Sequence, residues 1–347
     1  MRVAFDAQLT VGTPTGIGEY ADGLAAALRR RKRVDLVELS EPRLDPWRFD
    51  RRVLWDQLLL PRRARASGAA VLHCASGTMP LVGRMPVVVT VHDVAWLRVQ
   101  AHTRWYARWY FGALSLQRYA SARHIAVDSE FSRRELLEVC PGLDPQRVTV
   151  VYPGVAADMC ELERGTADRS TILVVGTVER RKNLAALIRL LPELDGARIV
   201  SVGPPTPYRD ECAALAASLG ISERLEMRGY VSREDVLDLY ARCGVVAVPS
   251  TYEGFGYAAA QAMCAGVPCV VSERGSLPEI AGPGVPVVCL DDARAWTETL
   301  QAALAGAYDA SAASARAIAI ERFAWDAAAG AMERLYAAAS SNGISGS

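Results

Sequence analysis

The chain has 347 residues, enough for two domains of ordinary size. Its 39 basic and 39 acidic side chains balance, and because duplex-DNA-binding proteins are usually basic, we expect no nucleic-acid partner. Half of the residues are apolar, which excludes disorder over the whole chain. No apolar run reaches the roughly 18 residues that cross a bilayer. The start MRVAFDAQLT lacks the apolar core of a secretory signal, so we expect a cytoplasmic protein.

In the first half, short valine-rich runs alternate with longer helical patterns, which is typical of βαβ units with parallel strands. The predicted strands, in chain order, are 3–5, 69–75, 87–93, 124–129 and 148–153. The predicted helices are 18–31, 52–66, 103–121 and 131–139.

The alternation begins again near residue 171. The predicted strands there are 171–176, 197–203, 225–229, 244–250, 267–272 and 285–290. The predicted helices are 183–191, 208–219, 233–242, 257–265 and 276–281, with nearly continuous helix over 293–339.

The sequence therefore predicts an α/β protein with two doubly wound parallel-sheet domains, Rossmann-like in pattern. The predicted domains are 1–160 and 161–325, and 326–347 forms a terminal helix, which could cross back to the first domain, and a loose tail. Ligands of such sheets bind beyond the carboxyl ends of the strands, so we expect the site in a central cleft that the two domains face.

The eight cysteines are scattered and form no Cys-x-x-Cys pair. Several lie in apolar runs, such as Cys269 in VPCVV, where a thiol behaves as a small apolar group. We expect reduced core cysteines. Asp-x-Asp pairs are absent as well, and we expect neither a metal site nor a cofactor.

Charge is divided unevenly along the chain. Residues 1–165 carry 23 basic and 18 acidic side chains, whereas residues 166–347 carry 16 and 21. Chance explains this difference as well as a function does. The functional interpretation is a basic first domain that faces an anionic membrane or a lipid-diphosphate acceptor.

The most informative segment is STYEGFGYAAAQAMCAG, residues 250–266. A predicted strand ends here, a Gly-Phe-Gly turn follows, and an alanine-rich helix begins. Glycines let the backbone approach a ligand, and a helix N-terminus attracts phosphate. Glu253 can accept hydrogen bonds from hydroxyls. Gln261 is eight residues further on, about 12 Å from position 253 along a helix axis. This is roughly the distance from a sugar to a ribose across a diphosphate. The alternative is a structural turn in which Glu253 is an ordinary cap.

A second segment, GTVERRKN at 176–183, places Arg180, Arg181 and Lys182 at the start of a predicted helix. Cations oppose the dipole at a helix N-terminus, so their presence suggests an anionic partner such as a diphosphate. A solvated basic helix start is the alternative.

Two segments of the first half also carry candidates. FDAQLTVGTPTGIGEY (5–20) is a glycine-rich loop before a helix, and because it lacks G-x-G-x-x-G, it does not favour a dinucleotide-dependent dehydrogenase. VVVTVHDVAW (87–96) puts His92 directly after an apolar strand, where an active-site residue of an α/β sheet would lie. A lone histidine at such a position is more often structural.

The stretch TRWYARWYFGALSLQRYA (103–120) repeats Arg, Trp and Tyr four residues apart, which gives a helix an aromatic face beside a basic edge. Such a helix can lie on an anionic membrane. Packing of the aromatic rings in the core is the alternative.

Together these motifs resemble the family 4 retaining glycosyltransferases, which have the two-domain GT-B fold. The family hallmark is E-G-F-G with a second Glu eight positions after the first, in E-A-M-x-x-G-x-P-V-V, and this chain reads EGFGYAAAQAMCAGVPCVV with Gln261 at the second position. The resemblance continues in R-K-N, T-G-I-G-x-Y and H-D. It also includes IAVDSEFSRREL, VVYPGV and GSLPEIAG.

The resemblance implies roles for particular residues. Glu253 would contact the donor sugar, Gln261 would stand where the family holds the ribose, and His92 would lie near the transferred sugar. The diphosphate would lie against Arg181 and Lys182. Further donor contacts are implied for Gly16, Gly18, Gly254, Phe255, Gly256 and Tyr257.

We therefore expect a metal-independent retaining hexosyltransferase, resembling bacterial mannosyl and rhamnosyl transferases of surface-polysaccharide or O-antigen synthesis. The expected donor is a nucleoside-diphosphate hexose, GDP-linked in preference to UDP-linked. The expected acceptor is a saccharide or a polyprenyl-diphosphate-linked saccharide, with the protein peripheral on the inner face of the plasma membrane. The alternatives are a nucleotide-sugar epimerase or hydrolase of the same fold and a catalytically weak nucleotide-sugar-binding subunit.

Overall fold

The computed structural model describes residues 1–12, 16–83, 85–98 and 105–341. The chain forms two compact units, one of Met1–Gly154 with the chain from Ala324 onward and one of Val155–Phe323. The sequence analysis placed these boundaries at 160–161 and 325–326. Part of the glycine-rich loop (13–15), the start of the aromatic helix (103–104) and the tail (342–347) lie outside the described residues.

The first unit contains one sheet. Its strands are β1 (Arg2–Asp6), β2 (Asp35–Leu39), β3 (Val71–Cys74), β4 (Val87–Val91), β5 (His124–Val127) and β6 (Val148–Val150). The spatial order is β2-β1-β3-β4-β5-β6, with every neighbouring pair parallel. The inner strands β3 and β4 are buried along their whole length, which is expected of parallel strands covered on both faces.

The sequence analysis missed β2. This strand lies at the edge of the sheet, and its sequence DLVEL exposes Asp35 and Glu38, leaves Leu36 and Val37 partly buried, and buries only Leu39. An edge strand has neither the valine-rich run nor the clean alternation by which the other strands were predicted.

The helices of the first unit before residue 154 cover both faces of this sheet. They are α1 (Gly16–Arg31), α2 (Phe49–Leu54), α3 (Leu60–Ala66), α4 (Ala95–Arg98), α5 (Trp105–Arg108), α6 (Leu114–Ser121) and α7 (Glu130–Val139). Single π-helical turns, Trp55–Leu59 and Trp109–Ala113, join α2 to α3 and α5 to α6. Each of the predicted helices 52–66 and 103–121 therefore contains a π-helical turn near its centre, where the α-helical hydrogen-bond pattern is interrupted.

The second unit contains the second sheet. Its strands are β7 (Asp168–Val175), β8 (Arg198–Val202), β9 (Leu225–Gly229), β10 (Cys243–Val248), β11 (Cys269–Ser272) and β12 (Val287–Val288). All neighbouring pairs are parallel in the order β12-β11-β10-β7-β8-β9. The connections change direction between β7 and β10, and a crevice for ligands opens at the carboxyl ends of such a pair.

Eight helices of the second unit accompany this sheet within the described residues. They are α8 (Ala157–Cys160), α9 (Leu184–Leu190), α10 (Tyr208–Ser218), α11 (Arg233–Arg242), α12 (Tyr257–Cys264), α13 (Leu277–Ile280), α14 (Ala293–Leu304) and α15 (Asp309–Arg322). Local signals set their starts: Ser232 and Asp235 form a reciprocal capping box at α11. The long predicted helix over 293–339 is divided, because α14, α15 and the last helix are separate.

The last helix, α16 (Trp325–Ser341), packs against α1 and belongs to the first unit. Glycines make this contact close: a Cβ atom at Gly23 of α1 would lie 2.3 Å from the Trp325 ring. Arg31 of α1 forms ion pairs with Asp326 and Glu333 of α16 at 2.9 Å each. The two parallel sheets confirm the predicted α/β class with two doubly wound domains.

The cysteines are all unpaired thiols, and five of the eight are buried, as predicted. Cys289 is exposed, so the expectation of a core position is wrong for this residue. It follows the short edge strand β12, where little structure covers it.

Candidate active site

The loop after β10 carries the first predicted site residues. Val248 ends a fully buried strand, and α12 begins at Tyr257. Gly256 precedes this helix with φ at +95°, a left-handed conformation that only glycine adopts without strain. The first turn of α12 has no side-chain cap, and the rest of the helix is buried because its alanines let it pack closely. The N-terminus of α12 therefore lies at the sheet edge where β7 and β10 are neighbours.

Glu253 lies in this loop and is only 5% exposed. Its Oε1 accepts hydrogen bonds from Lys182 Nζ at 2.5 Å and from Ser250 Oγ at 2.8 Å, and its Oε2 accepts from Arg181 Nη1 at 3.2 Å. Burial acts to raise the pKa of Glu253, but Lys182 and Arg181 outweigh burial and hold the pKa below its usual range. The side chain is therefore a carboxylate, and it is not the simple helix cap of the alternative interpretation.

The basic segment after β7 supplies the two cations. Arg180–Lys182 form a 3-10 turn, Asn183 is left-handed with φ at +56°, and α9 starts at Leu184. The cations were predicted at the start of this helix. In the structure they lie in the turn before it. Two hydrogen bonds connect this turn to the loop after β10. Thr251 N donates to Arg181 O at 2.7 Å, and Arg181 Nη1 donates to Tyr252 O at 3.3 Å.

Lys182 and Arg180 differ in their surroundings. The Lys182 side chain lies across Gly176, where an added Cβ would be 3.4 Å from Lys182 Cε. Arg180 points elsewhere: it pairs with Glu211 at 2.7 Å, and its side chain is 58% exposed. The structure thus brings together Arg181, Lys182 and Glu253 and leaves Arg180 outside the group.

Gln261 lies on α12, one turn beyond Tyr257, and is 7% exposed. Its Oε1 accepts a hydrogen bond at 3.1 Å from the hydroxyl of Tyr240, a fully buried residue of α11. Tyr240 was missed by the sequence analysis. A tyrosine in an amphipathic helix looks like any core aromatic until the partner of its hydroxyl is known.

The other predicted residues of this loop are buried or partly buried. The Phe255 ring is buried and packs against Tyr257 at 5.3 Å and Phe323 at 5.5 Å between ring centroids. A donor contact at this position therefore falls to the backbone. Gly254 and Gly256 are buried in the same loop.

In the first unit, His92 follows β4 and Asp128 follows the neighbouring strand β5. His92 Nδ1 lies 2.7 Å from Asp128 Oδ2, and Nε2 lies 3.0 Å from the carbonyl oxygen of Ala75. A carbonyl oxygen only accepts, so Nε2 carries a proton. Burial acts to lower the pKa of His92, but Asp128 raises it above its usual value. His92 is therefore held between two acceptors, with its pKa shifted toward the charged form.

Three glycines of the first loop, Gly12, Gly16 and Gly18, lie among the described residues. Gly12 has φ at +87°, Gly16 starts α1, and Gly18 is buried in the first turn. Among the described residues, no atom lies within 4 Å of the position that a Cβ at Gly16 would take. The residues between Gly12 and Gly16 lie outside the described ones.

The aromatic stretch separates into two faces. Tyr106 and Tyr110 pack against Phe49, with ring centroids 4.6 and 5.6 Å apart. Trp105 and Trp109 point outward and are 78% and 55% exposed. Core packing therefore accounts for the tyrosines and not for the tryptophans.

Within the described ranges, no three His, Cys, Asp or Glu side chains are grouped as metal ligands would be. Among the same residues, no helix has the length and apolar character to cross a bilayer.

Two doubly wound parallel sheets, with paired cations at the strand ends of the second, define a two-domain α/β protein of the Rossmann-like class. Family models match both halves of the chain. Residues 14–158 match the model described as Glycosyltransferase Family 4, and residues 163–319 match the model described as Glycosyl transferases group 1. The two glycosyltransferase models together match most of the chain, and its two parallel-sheet domains have the GT-B fold.

Curated relatives match only part of the chain. D-inositol 3-phosphate glycosyltransferase of Mycobacterium sp. (strain KMS) is 32% identical over 198 residues, 53% of this chain and 45% of that protein. The protein of the same name from Xylanimonas cellulosilytica is 37% identical over 213 residues, 58% of this chain and 51% of that protein. The chain thus spans about half the length of these relatives.

Solved structures match along nearly the whole chain. Anabaena Alr3699/HepE in complex with UDP and glucose superposes with a TM-score of 0.74 at 17% identity, covering 97% of this chain and 99% of that one. Sucrose-phosphate synthase from Thermosynechococcus elongatus gives 0.74 at 19% identity, covering 97% and 98%. At these identities the likeness shows the fold alone.

Proposed function

We propose that this protein transfers a hexose from a nucleoside-diphosphate sugar to an acceptor hydroxyl, with retention at the anomeric carbon. The observation that carries the proposal is the group formed by Arg181, Lys182 and Glu253 beside the N-terminus of α12. It lies where β7 and β10 are neighbours, which is the ligand position of a doubly wound sheet.

The charges of this group suggest how a diphosphate would bind. Arg181 also pairs with Glu179 at 2.8 Å, so two cations and two carboxylates balance. A diphosphate would compete with Glu253 for Arg181 and Lys182, and the helix N-terminus would add to the attraction. Glu253 would then have an oxygen free to accept a hydrogen bond from a sugar hydroxyl.

Bond cleavage would depend on electrostatic stabilisation of the leaving diphosphate. Arg181 and Lys182 are fixed cations that can stabilise the charge as it develops, and this supports a metal-independent reaction. With the diphosphate bound, Oε1 of Glu253 would still accept from Ser250 and Oε2 would accept from a sugar hydroxyl, so Glu253 would be a weak nucleophile. The arrangement therefore favours departure and attack on one face of the sugar over a covalent intermediate.

The donor is proposed to be a mannose-type or rhamnose-type hexose linked to GDP. The UDP-linked donors are the second choice, and the UDP complex of the Anabaena neighbour is an observation in their favour. Gln261 is proposed to bind the ribose, because the hydroxyl of Tyr240 holds its amide oxygen and so orients the amide group.

The acceptor is proposed to be a saccharide or a polyprenyl-diphosphate-linked saccharide of surface-polysaccharide synthesis. The name of the curated relatives, which specifies inositol 3-phosphate, favours a phosphorylated polyol as a second candidate. The outward pair Trp105 and Trp109 supports a peripheral contact with an anionic membrane, since tryptophan favours the lipid headgroup region.

Two other functions use the same donor site. An epimerase or hydrolase would convert or release the sugar without an acceptor, so product analysis without acceptor separates it from a transferase. A binding subunit would hold the donor tightly and transfer to no acceptor. Gln261, in place of the family's second Glu, is the residue that favours this subunit.

The test of the phosphate role compares Lys182→Ala with Arg180→Ala. Both remove one cation from the same turn, but only Lys182 contacts Glu253. We expect Lys182→Ala to reduce turnover by at least about a hundredfold, as for loss of a group that stabilises developing charge, and Arg180→Ala to change it less than threefold. Near-normal turnover of a folded Lys182→Ala protein would reject the phosphate role.

The donor base is tested separately by thermal shift with GDP-, UDP-, ADP- and dTDP-sugars. A ligand that binds only the folded state raises the melting temperature, and at equal ligand concentration the tighter ligand raises it more. A larger shift with GDP-mannose than with UDP-glucose supports the GDP assignment, and the opposite order replaces it with a uracil-linked donor.

A further inference from the structure

A line of buried polar side chains connects the C-terminal helix to the neighbourhood of His92. Tyr336 Oη of α16 lies 2.7 Å from His73 Nδ1, His73 Nε2 lies 2.9 Å from Thr90 Oγ1, and Thr90 Oγ1 lies 3.0 Å from Tyr20 Oη. All four side chains are at most 1% exposed. We call Tyr336, His73, Thr90 and Tyr20 the relay.

The relay ends against the ring of His92. The rings of Tyr20 and His92 are 4.8 Å apart between centroids and nearly perpendicular, at 81°. Two hydrogen bonds already fix the edges of His92, through Asp128 and the carbonyl of Ala75. Tyr20 adds a contact outside this pair of bonds, and an edge-to-face arrangement of two rings is favourable.

The relay holds Tyr20 in one position because its members depend on one another. Burial, with a smaller effect of the charge on His92, lowers the pKa of His73 to about 3. His73 is therefore neutral, and one of its nitrogens donates while the other accepts. A buried polar group without its partner is costly, so each hydrogen bond constrains the next.

The C-terminal helix contacts Tyr20 at a second place. Trp325, at the start of α16, lies 5.8 Å from the Tyr20 ring between centroids. Trp325 itself fits closely beside Gly23 and Gly154, where an added Cβ would be 2.3 Å from its ring in each case. Both ends of α16 therefore fix Tyr20: Trp325 through its ring, and Tyr336 through the relay to its hydroxyl.

We propose that the relay positions His92, so that the return of α16 to the first unit sets the orientation of this side chain. Tyr336, His73, Thr90 and Tyr20 are positioning residues that act through His92. The inference rests on the proposed function, and it takes the place of His92 near the transferred sugar from the family resemblance.

The first test measures turnover of Tyr336→Phe and Thr90→Val. Each variant removes one hydroxyl and keeps nearly the same volume. We expect kcat to fall roughly tenfold, since a displacement of about 1 Å can cost up to a hundredfold. The KM for the donor should stay within about twofold, because the relay lies in the other unit from Arg181 and Lys182.

Coupling and rescue distinguish positioning from general loss of stability. If the two hydroxyls act through the same hydrogen-bond network, the effects of removing them are not additive. The double variant should then have the kcat of the worse single variant. Thr90→Ser keeps the hydroxyl and should restore kcat. The control Leu335→Ala weakens packing on the same helix without removing a hydrogen bond of the relay and should leave kcat within about twofold.

A second measurement needs no substrate. The ring signals of His92 in NMR spectra should move in Tyr336→Phe and Thr90→Val and stay unchanged in Leu335→Ala. Unmoved His92 signals, or kcat losses that simply multiply in the double variant, would overturn the proposal. A wild-type protein that transfers no sugar would reject the proposed function alone, and the His92 signals would still decide whether the relay exists.

Discussion

Removal of the negative charge of Glu253 should tighten binding of a free nucleoside diphosphate while it reduces sugar transfer. In the structure, both cations that we assign to the diphosphate are paired with this carboxylate. Glu253→Gln keeps the size of the side chain and an acceptor oxygen but removes the charge with which phosphate must compete. The two effects have opposite signs, so together they test the assigned roles.

The magnitude follows from the distances. Glu253 lies 2.5 Å from Lys182 Nζ and 3.2 Å from Arg181 Nη1, so a phosphate oxygen on these nitrogens would be about 5 Å from the carboxylate. Two unit charges at that separation repel by about 3 kcal/mol at an effective dielectric constant of 20. Because Lys182 and Arg181 are partly exposed, we expect about 1–2 kcal/mol, or roughly 5- to 30-fold tighter binding.

The assay is calorimetric titration of GDP and UDP into the wild type and Glu253→Gln, with turnover of the nucleotide-sugar measured beside it. The difference in affinity should shrink at high salt, as for any charge effect at a partly exposed site. The control is Glu211→Gln, which removes the same charge from the neighbouring pair with Arg180 and should change neither quantity. Equal or weaker diphosphate binding by Glu253→Gln would refute the competition.

Two further predictions concern the first unit. Because the pKa of His92 is raised by Asp128, the stability from this pair is present below pH 6.5 and is lost as pH rises through the folded-state pKa. Asp128→Asn should therefore lower the melting temperature most near pH 5.5 and least near pH 8.5, and a difference independent of pH would contradict the assignment. Trp105→Ala/Trp109→Ala should reduce co-sedimentation with anionic vesicles without loss of stability, whereas Trp47→Ala, another exposed tryptophan, should bind as the wild type does. Unchanged binding of the double variant would reject the membrane contact.

The sequence by itself determined the architecture and the loops that matter. Alternation of valine-rich runs with helical patterns depends on neighbours within a few residues, so it could be recognised without tertiary information. The same holds for the loop around Glu253, where glycines, an acidic residue and an alanine-rich helix follow one another directly. Edge strand β2 was missed because it lacks the apolar pattern of a buried strand.

Only the tertiary structure decided which side chains meet. Glu253 is separated from Lys182 by 71 positions and His92 from Asp128 by 36, and Tyr336 reaches His73 across 263. No local period relates such residues, because parallel strands bring their ends together only after long crossovers. The state of each charge follows from the same packing: burial acts to raise the pKa of Glu253 and to lower that of His92, and their partners, brought close by the fold, reverse both effects.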